Sequence, residues 1–237
     1  ISYGLFAFGI WIPLVLPLFT FVLSFISALM LSYSQEGKQR RFIKNAFQQY
    51  VSPSVIENLI QNPSSLRLGG EKRNLSIFFS DIQGFTSISE NISPEELTDF
   101  LNDFLSEMSN IIMKLGGTID KYEGHAIISM FGAPDPQNLY NKNEWAYFAL
   151  DSAIKMKQVE KEFNNTYFDP VHPETSQIPN PLYTRVGLNS GDAFVGLMGS
   201  QTETFNKVNY TMIGDTVNLA SRLEGVNKFY DTSIICS

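Results

Sequence analysis

Leu75, Ile77 and Phe79 alternate along the chain, and Phe78 between them is apolar as well. A strand that is apolar on both faces has to be covered from both sides, so this run predicts a strand in the interior of a sheet. It ends on a carboxylate, Asp81, followed by a glycine-containing turn. Ser93-Pro94-Glu95-Glu96 then supplies a helix cap, a first-turn proline and a glutamate placed for a capping box. Leu97, Phe100, Leu101, Phe104, Met108, Ile111, Ile112 and Leu115 follow at spacings of three and four, which marks one buried helix face. Gly116-Gly117 stops that helix, and residues 118–122 and 126–131 read as a hairpin turned at Glu123-Gly124.

The remaining pattern continues the alternation of helices and strands. Residues 145–163 form a second amphipathic helix, and 164–181, rich in Pro, Asn and Thr, form a surface loop. Residues 185–189 and 193–198 read as a hairpin around Ser190-Gly191-Asp192. A strand over 207–213, a helix over 215–228 and a strand over 232–236 complete the chain. The fold class is α+β, a mixed or antiparallel sheet covered by helices.

The N-terminal part has a different character. Residues 1–33 carry no charged side chain. They include an apolar run of about 20 residues, the length that crosses a bilayer at 1.5 Å per residue. Tyr3, Trp11 and Tyr33 stand where interfacial aromatics are expected, and Pro13 and Pro17 predict a kinked or late-starting helix. Lys38, Arg40, Arg41 and Lys44 follow directly, which orients that side toward the cytoplasm. The expected organisation is a transmembrane segment at 1–33, a cytoplasmic helical linker at 34–70 and a globular domain at 71–237. A net charge of −7 with no dense basic block argues against a nucleic-acid partner. Cys236 is the only cysteine, so there is neither a disulfide framework nor a thiolate metal cluster.

Three places could carry chemistry. Asp81 at a strand end suits a hard cation such as Mg²⁺, with Gly84 permitting close approach of a phosphate to the turn; an aspartate there also caps turns. Asn218 and Arg222, four residues apart, share one helical face, where an amide and a planar cation could orient a ribose and meet phosphoryl charge. Exposed helices carry such pairs for no catalytic reason too. Lys121 and His125 flank a tight glycine turn.

FFSDIQGFTS, DKYEGHAIISMFGAP and YTMIGDTVNLASRLEG, in that order and at those separations, resemble the catalytic domain of class III nucleotide cyclases. The resemblance covers 71–237. It implies a ferredoxin-like core, head-to-tail homodimers with shared active sites, and two divalent metals, Mg²⁺ or Mn²⁺. It implies that Asp81 and the Ile82 carbonyl bind metal, that the Gly84-Phe85-Thr86 turn lies against substrate, and that Lys121 and Thr211 read the base. Asn218 would orient the ribose and Arg222 stabilise the transition state. Lys with Thr at the reading positions implies ATP, hence an adenylate cyclase, a phosphorus–oxygen lyase. The membrane span and short linker resemble bacterial receptor-type cyclases, including those with an extracytoplasmic CHASE2 sensor. The implied place is the inner membrane, in contact with lipid, with the catalytic domain in the cytoplasm and a sensor domain upstream.

Two positions depart from the family pattern. His125 stands where the family has its second metal aspartate, which removes a negative charge and two oxygen donors. Three explanations stand side by side: an inactivating change, native or engineered; a working site of altered metal preference; or a subunit that needs a complementary partner. A degenerate domain that binds nucleotide and regulates without turnover is the alternative to the enzyme. The resemblance also implies final strands and a phosphate-binding lysine after Ser237.

Overall fold

A computed structural model describes residues 18–27, 30, 69–134, 141–172, 176–201 and 206–237. Residues 18–27 are helical, with Leu18, Phe19, Phe21, Val22, Leu23, Phe25 and Ile26 exposed. Among the described residues no helix is long and apolar enough to cross a membrane. Most of the expected span, the basic cluster and nearly all of the linker lie outside the described residues. The helical stretch belongs to a separate compact unit.

The larger body runs β1 (Gly69–Ile82), α1 (Phe85–Ser89), α2 (Pro94–Lys114), β2 (Thr118–Glu123), β3 (Ala126–Phe131), α3 (Lys142–Tyr167), β4 (Thr184–Gln201), β5 (Asn206–Ile213), α4 (Asp215–Tyr230) and β6 (Ile234–Cys236). The sheet order is β2-β3-β1-β4-β5, antiparallel throughout, with β6 adding in parallel to Val186–Leu188 of β4. The first six large elements, two helices threaded among β1 to β4 in the order β2-β3-β1-β4, make the expected ferredoxin-like split βαβ core.

β1 is central and buried on both sides, as its pattern requires. Phe78 and Ile82 enter one core with α2 and α3, while Leu75 and Ile77 enter a second with Ala193, Val195, Met212 and Ala220. α2 begins with the capping box: Glu96 N donates to Ser93 Oγ at 3.3 Å, and Ser93 N donates to Glu96 Oε2 at 3.0 Å. Phe100, Phe104, Met108 and Ile112 form its buried face. α3 starts earlier than the sequence indicates because Asn141 and Glu144 build a second capping box.

The expected hairpin at Ser190-Gly191-Asp192 does not exist. β4 runs straight through these residues, paired to β1 from Gly69↔Leu197 to Ile82↔Thr184. Ser-Gly-Asp reads as a turn, but Gly191 serves contact: a Cβ there would come within 3.1 Å of Thr216 Cγ2. The β2–β3 turn falls at Gly124-His125, one residue later than expected, with Gly124 at φ 63.

α4 lies directly on β4. A Cβ on Gly187 would stand 2.3 Å from the Ala220 carbonyl oxygen and from the Glu224 nitrogen, so only glycine allows this approach. Buried Asn227 fastens the far end, its Nδ2 donating to the Val186 carbonyl at 3.0 Å. That packing decides which α4 residues face the end of β1.

Candidate active site

Antiparallel register sets Arg185 opposite Asp81, where β1 ends and β4 begins. Arg185 Nη2 donates to Asp81 Oδ2 at 3.4 Å. On its other side Arg185 Nε lies 2.9 Å from Glu224 Oε1, an ion pair without hydrogen-bond alignment. From the β2–β3 turn, His125 Nε2 reaches Asp81 Oδ1 at 2.7 Å. Phe85, at the start of α1, stacks on the His125 ring with centroids 4.1 Å apart and planes 14° from parallel. Gly84 turns the chain there at φ 66, and a Cβ on it would meet open space. Thr86 is exposed on the next residue, and Ile82 is buried in the core beside α2 and α3.

Burial holds the Glu224 carboxyl above its ordinary 4.5. The neighbouring Arg185 opposes that, and the charge of Asp81 adds to it. The end of β1 is therefore a chain of paired side chains, His125–Asp81–Arg185–Glu224, with Asp81 engaged on both oxygens.

This donor set does not fit a pair of Mg²⁺ ions. Hard divalent cations take about six oxygen ligands each, and the residues here offer Asp81, already held by two nitrogen groups, Glu224, paired with Arg185, and an imidazole suited to softer metals. Among the described residues, no group of three or more His, Cys, Asp or Glu side chains is arranged to hold a metal.

A second cluster forms elsewhere on the sheet. Lys121 and Thr211 come from β2 and β5, strands at opposite ends of the sheet order, yet both touch Asp120. Thr211 Oγ1 donates to Asp120 Oδ2 at 2.9 Å, and Lys121 Nζ lies 3.7 Å from the same oxygen. The Asp120 side chain is 2% exposed and Lys121 is 45% exposed. Burial raises the Asp120 carboxyl above its ordinary 3.8, opposed by the Thr211 hydrogen bond and by Lys121. Lys121 and His125, four residues apart in sequence, thus belong to different clusters.

Asn218 and Arg222 share an exposed face of α4. Among the described residues no hydrogen bond or ion pair joins either side chain to the Asp81 cluster.

Asp120, Arg185 and Glu224 were not legible as site residues in the sequence. Arg185 becomes visible once its register with Asp81 is known, and Glu224 once Gly187 brings α4 onto β4. Asp120 had one signal, its place before Lys121.

The split core, the carboxylate at the end of β1 and the contacts of Lys121 and Thr211 with Asp120 are consistent with a nucleotide cyclase catalytic domain. The chain belongs to the adenylate and guanylate cyclase catalytic domain family, whose model matches residues 70–231. Among its relatives is an adenylate cyclase of Anabaena cylindrica, 33% identical over 214 residues, 88% of this chain and 38% of that protein. The chain spans well under half the length of this curated relative and of others it matches. Among solved structures, the adenylyl cyclase CyaB of P. aeruginosa is 40% identical with a TM-score of 0.57, covering 67% of this chain and 74% of that one. The guanylyl cyclase Cya2 is 34% identical with a TM-score of 0.55, covering 67% and 72%. Relatives thus carry names for both purines, and the choice of base has to be argued from the residues.

Proposed function

We propose that the chain is the catalytic part of an adenylate cyclase, forming 3′,5′-cyclic AMP and pyrophosphate from ATP at sites shared by two copies of the chain. The observation that carries this reading is the meeting of Lys121 and Thr211 at Asp120, which brings an ammonium donor and a hydroxyl to one carboxylate oxygen. A purine ring offers matching groups along its own edge. In the reaction, the ribose 3′-hydroxyl gives up its proton to water and its oxygen attacks the α-phosphorus. That bond closes the ring as the bond to the bridging oxygen breaks and pyrophosphate leaves. Asn218 orients the ribose, and the Arg222 guanidinium meets charge building on the α-phosphoryl oxygens. The turn at Gly84, Phe85 and Thr86 lies against the phosphates. Support for shared sites is that, among the described residues, no hydrogen bond or ion pair joins the Asp81 cluster to the side chains of Lys121, Thr211, Asn218 or Arg222.

An inner-membrane anchor with a cytoplasmic catalytic domain and an upstream sensor belongs to the same proposal. It draws support from the charge-free residues 1–33, the basic residues after them and the exposed apolar side chains of helix 18–27.

A second reading has its own observation. His125 occupies Asp81 Oδ1, as expected of a degenerate domain that binds nucleotide and regulates a partner. Cyclic-nucleotide production by the chain and by a His125→Asp variant, in Mg²⁺ and in Mn²⁺, with ATP and with GTP, separates the two. The catalytic reading expects cyclic AMP, with a higher rate in the aspartate variant. No cyclic product from either chain, with ATP still bound, would replace it with the regulatory one.

A further inference from the structure

Asp120 interrupts the pairing of β2 with β3, which passes from Ile119↔Ser129 directly to Lys121↔Ile128. An unpaired extra residue bends its strand and re-aims a side chain. Here it turns a carboxylate inward until 2% of the side chain is exposed. Oδ2 accepts the Thr211 hydroxyl proton, and Oδ1 is buried with no hydrogen-bond partner among the described residues. A buried carboxylate placed this way costs stability rather than adding it, so packing alone does not account for it.

The hydrogen bond fixes a polarity. A threonine hydroxyl has one proton to give and two lone pairs to receive with, whereas an ionised carboxylate only receives. With its proton committed to Asp120, Thr211 presents lone pairs alone to a ligand. Lys121, an ammonium, presents protons alone. The edge formed by the two matches a ring nitrogen that accepts beside an exocyclic amine that donates, the arrangement in a 6-aminopurine. A 6-oxopurine has the reverse order, a ring N–H beside a carbonyl, and meets proton against proton and lone pair against lone pair.

We infer that Asp120 is a specificity-determining positioning residue that locks the Thr211 hydroxyl as an acceptor and so sets the site for 6-aminopurine nucleotides. The inference rests on the base-reading role proposed above for Lys121 and Thr211. An Asp120→Asn variant offers Thr211 an amide N–H, which frees the hydroxyl proton to turn outward.

The test is calorimetric binding of non-hydrolysable ATP and ITP analogues to the intact chain, because ITP differs from ATP only along the edge in question. The parent is expected to favour the ATP analogue by at least about tenfold, and Asp120→Asn to lose most of that ratio. A purely structural role would weaken both ligands alike and leave the ratio unchanged, which would overturn the inference. In a Thr211→Val background, Asp120→Asn is expected to change the ratio no further; an additional change there would overturn action through Thr211. If Asp120→Asn gives no folded protein by circular dichroism, Thr211→Ser and Thr211→Val carry the test. Serine keeps the donated proton and has to keep the ratio, valine has to lose it, and equal ratios contradict the inference. A parent that binds both analogues equally would remove the base-reading role and the role of Asp120 together. A parent that prefers ATP while Asp120→Asn keeps the same preference removes only Asp120.

Discussion

Two carboxylates, Asp81 of β1 beside the β2–β3 turn and Asp120 within β2, are treated in opposite ways. At the turn, Asp81 has both oxygens engaged, by His125 at 2.7 Å and Arg185 at 3.4 Å. In the strand, Asp120 keeps one buried oxygen without a partner and uses the other to orient Thr211. The first carboxylate is neutralised by its own chain, and the second remains poised. Neutralisation closes a site to cations, because an incoming metal has to displace groups that already satisfy the charge. An orienting carboxylate prepares a site, because the group it holds meets ligand with its polarity already set. On the proposed reading, His125 bears on the metal end of the domain and not on the base-reading end.

The contrast breaks most severely at Gly187. A valine there would drive a Cβ into the Ala220 carbonyl and the Glu224 backbone, lifting α4 and pulling Glu224 away from Arg185. We expect a stability loss above about 3 kcal/mol by urea denaturation, overpacking against backbone being the costly kind.

Next in size is His125→Asp, which returns a carboxylate beside Asp81. Mn²⁺ binding, read by calorimetry, is expected to tighten at least about tenfold because ligand charge sets affinity for such ions. The ratio of ATP to ITP analogue binding should stay as it was, since His125 and Asp120 act in separate clusters.

A smaller effect belongs to Ser93→Ala, which removes the α2 cap at a distance from both clusters. About 1 kcal/mol of stability should be lost, with nucleotide preference unchanged.

The least is a pH trend. Burial holds Asp120 above its ordinary 3.8, so the folded chain binds that proton more tightly than the unfolded one. The contribution of Asp120 to native stability therefore falls as pH rises through the interval above 3.8. Asparagine carries no charge. The melting temperature of Asp120→Asn relative to the parent should rise as pH is raised from about 4 and be flat below it.

Local chemistry made much of this legible from sequence. The Ser93–Glu96 capping box, the apolar face of α2 and the two-sided burial of β1 follow from spacing alone, and all three stand in the structure. What failed was a local signal with a tertiary cause. Ser190-Gly191-Asp192 looks like a turn, yet Gly191 makes room for Thr216 in a strand held straight by fourteen pairings with β1. Asp120 and Arg185 were hidden for a related reason. One owes its role to a break in pairing register and the other to its partner across the sheet, and neither relation is written in neighbouring residues. Asp81, Lys121 and Thr211 could be named because they sit in motifs, and their grouping into two clusters emerged only from the sheet.

Whether Asp81 and Arg222 of one chain serve different active sites is the claim on which the proposed function depends, and mixing tests it directly. In a His125→Asp background, Asp81→Ala and Arg222→Ala chains are each purified, shown to be folded, and assayed for cyclic AMP alone and as an equal mixture. Each alone should be nearly inactive. The mixture should recover about a quarter of the background rate, because random pairing of two protomers makes half the dimers mixed, with one intact site of two in each. A mixture no more active than its components, with exchange of protomers demonstrated, would contradict shared sites.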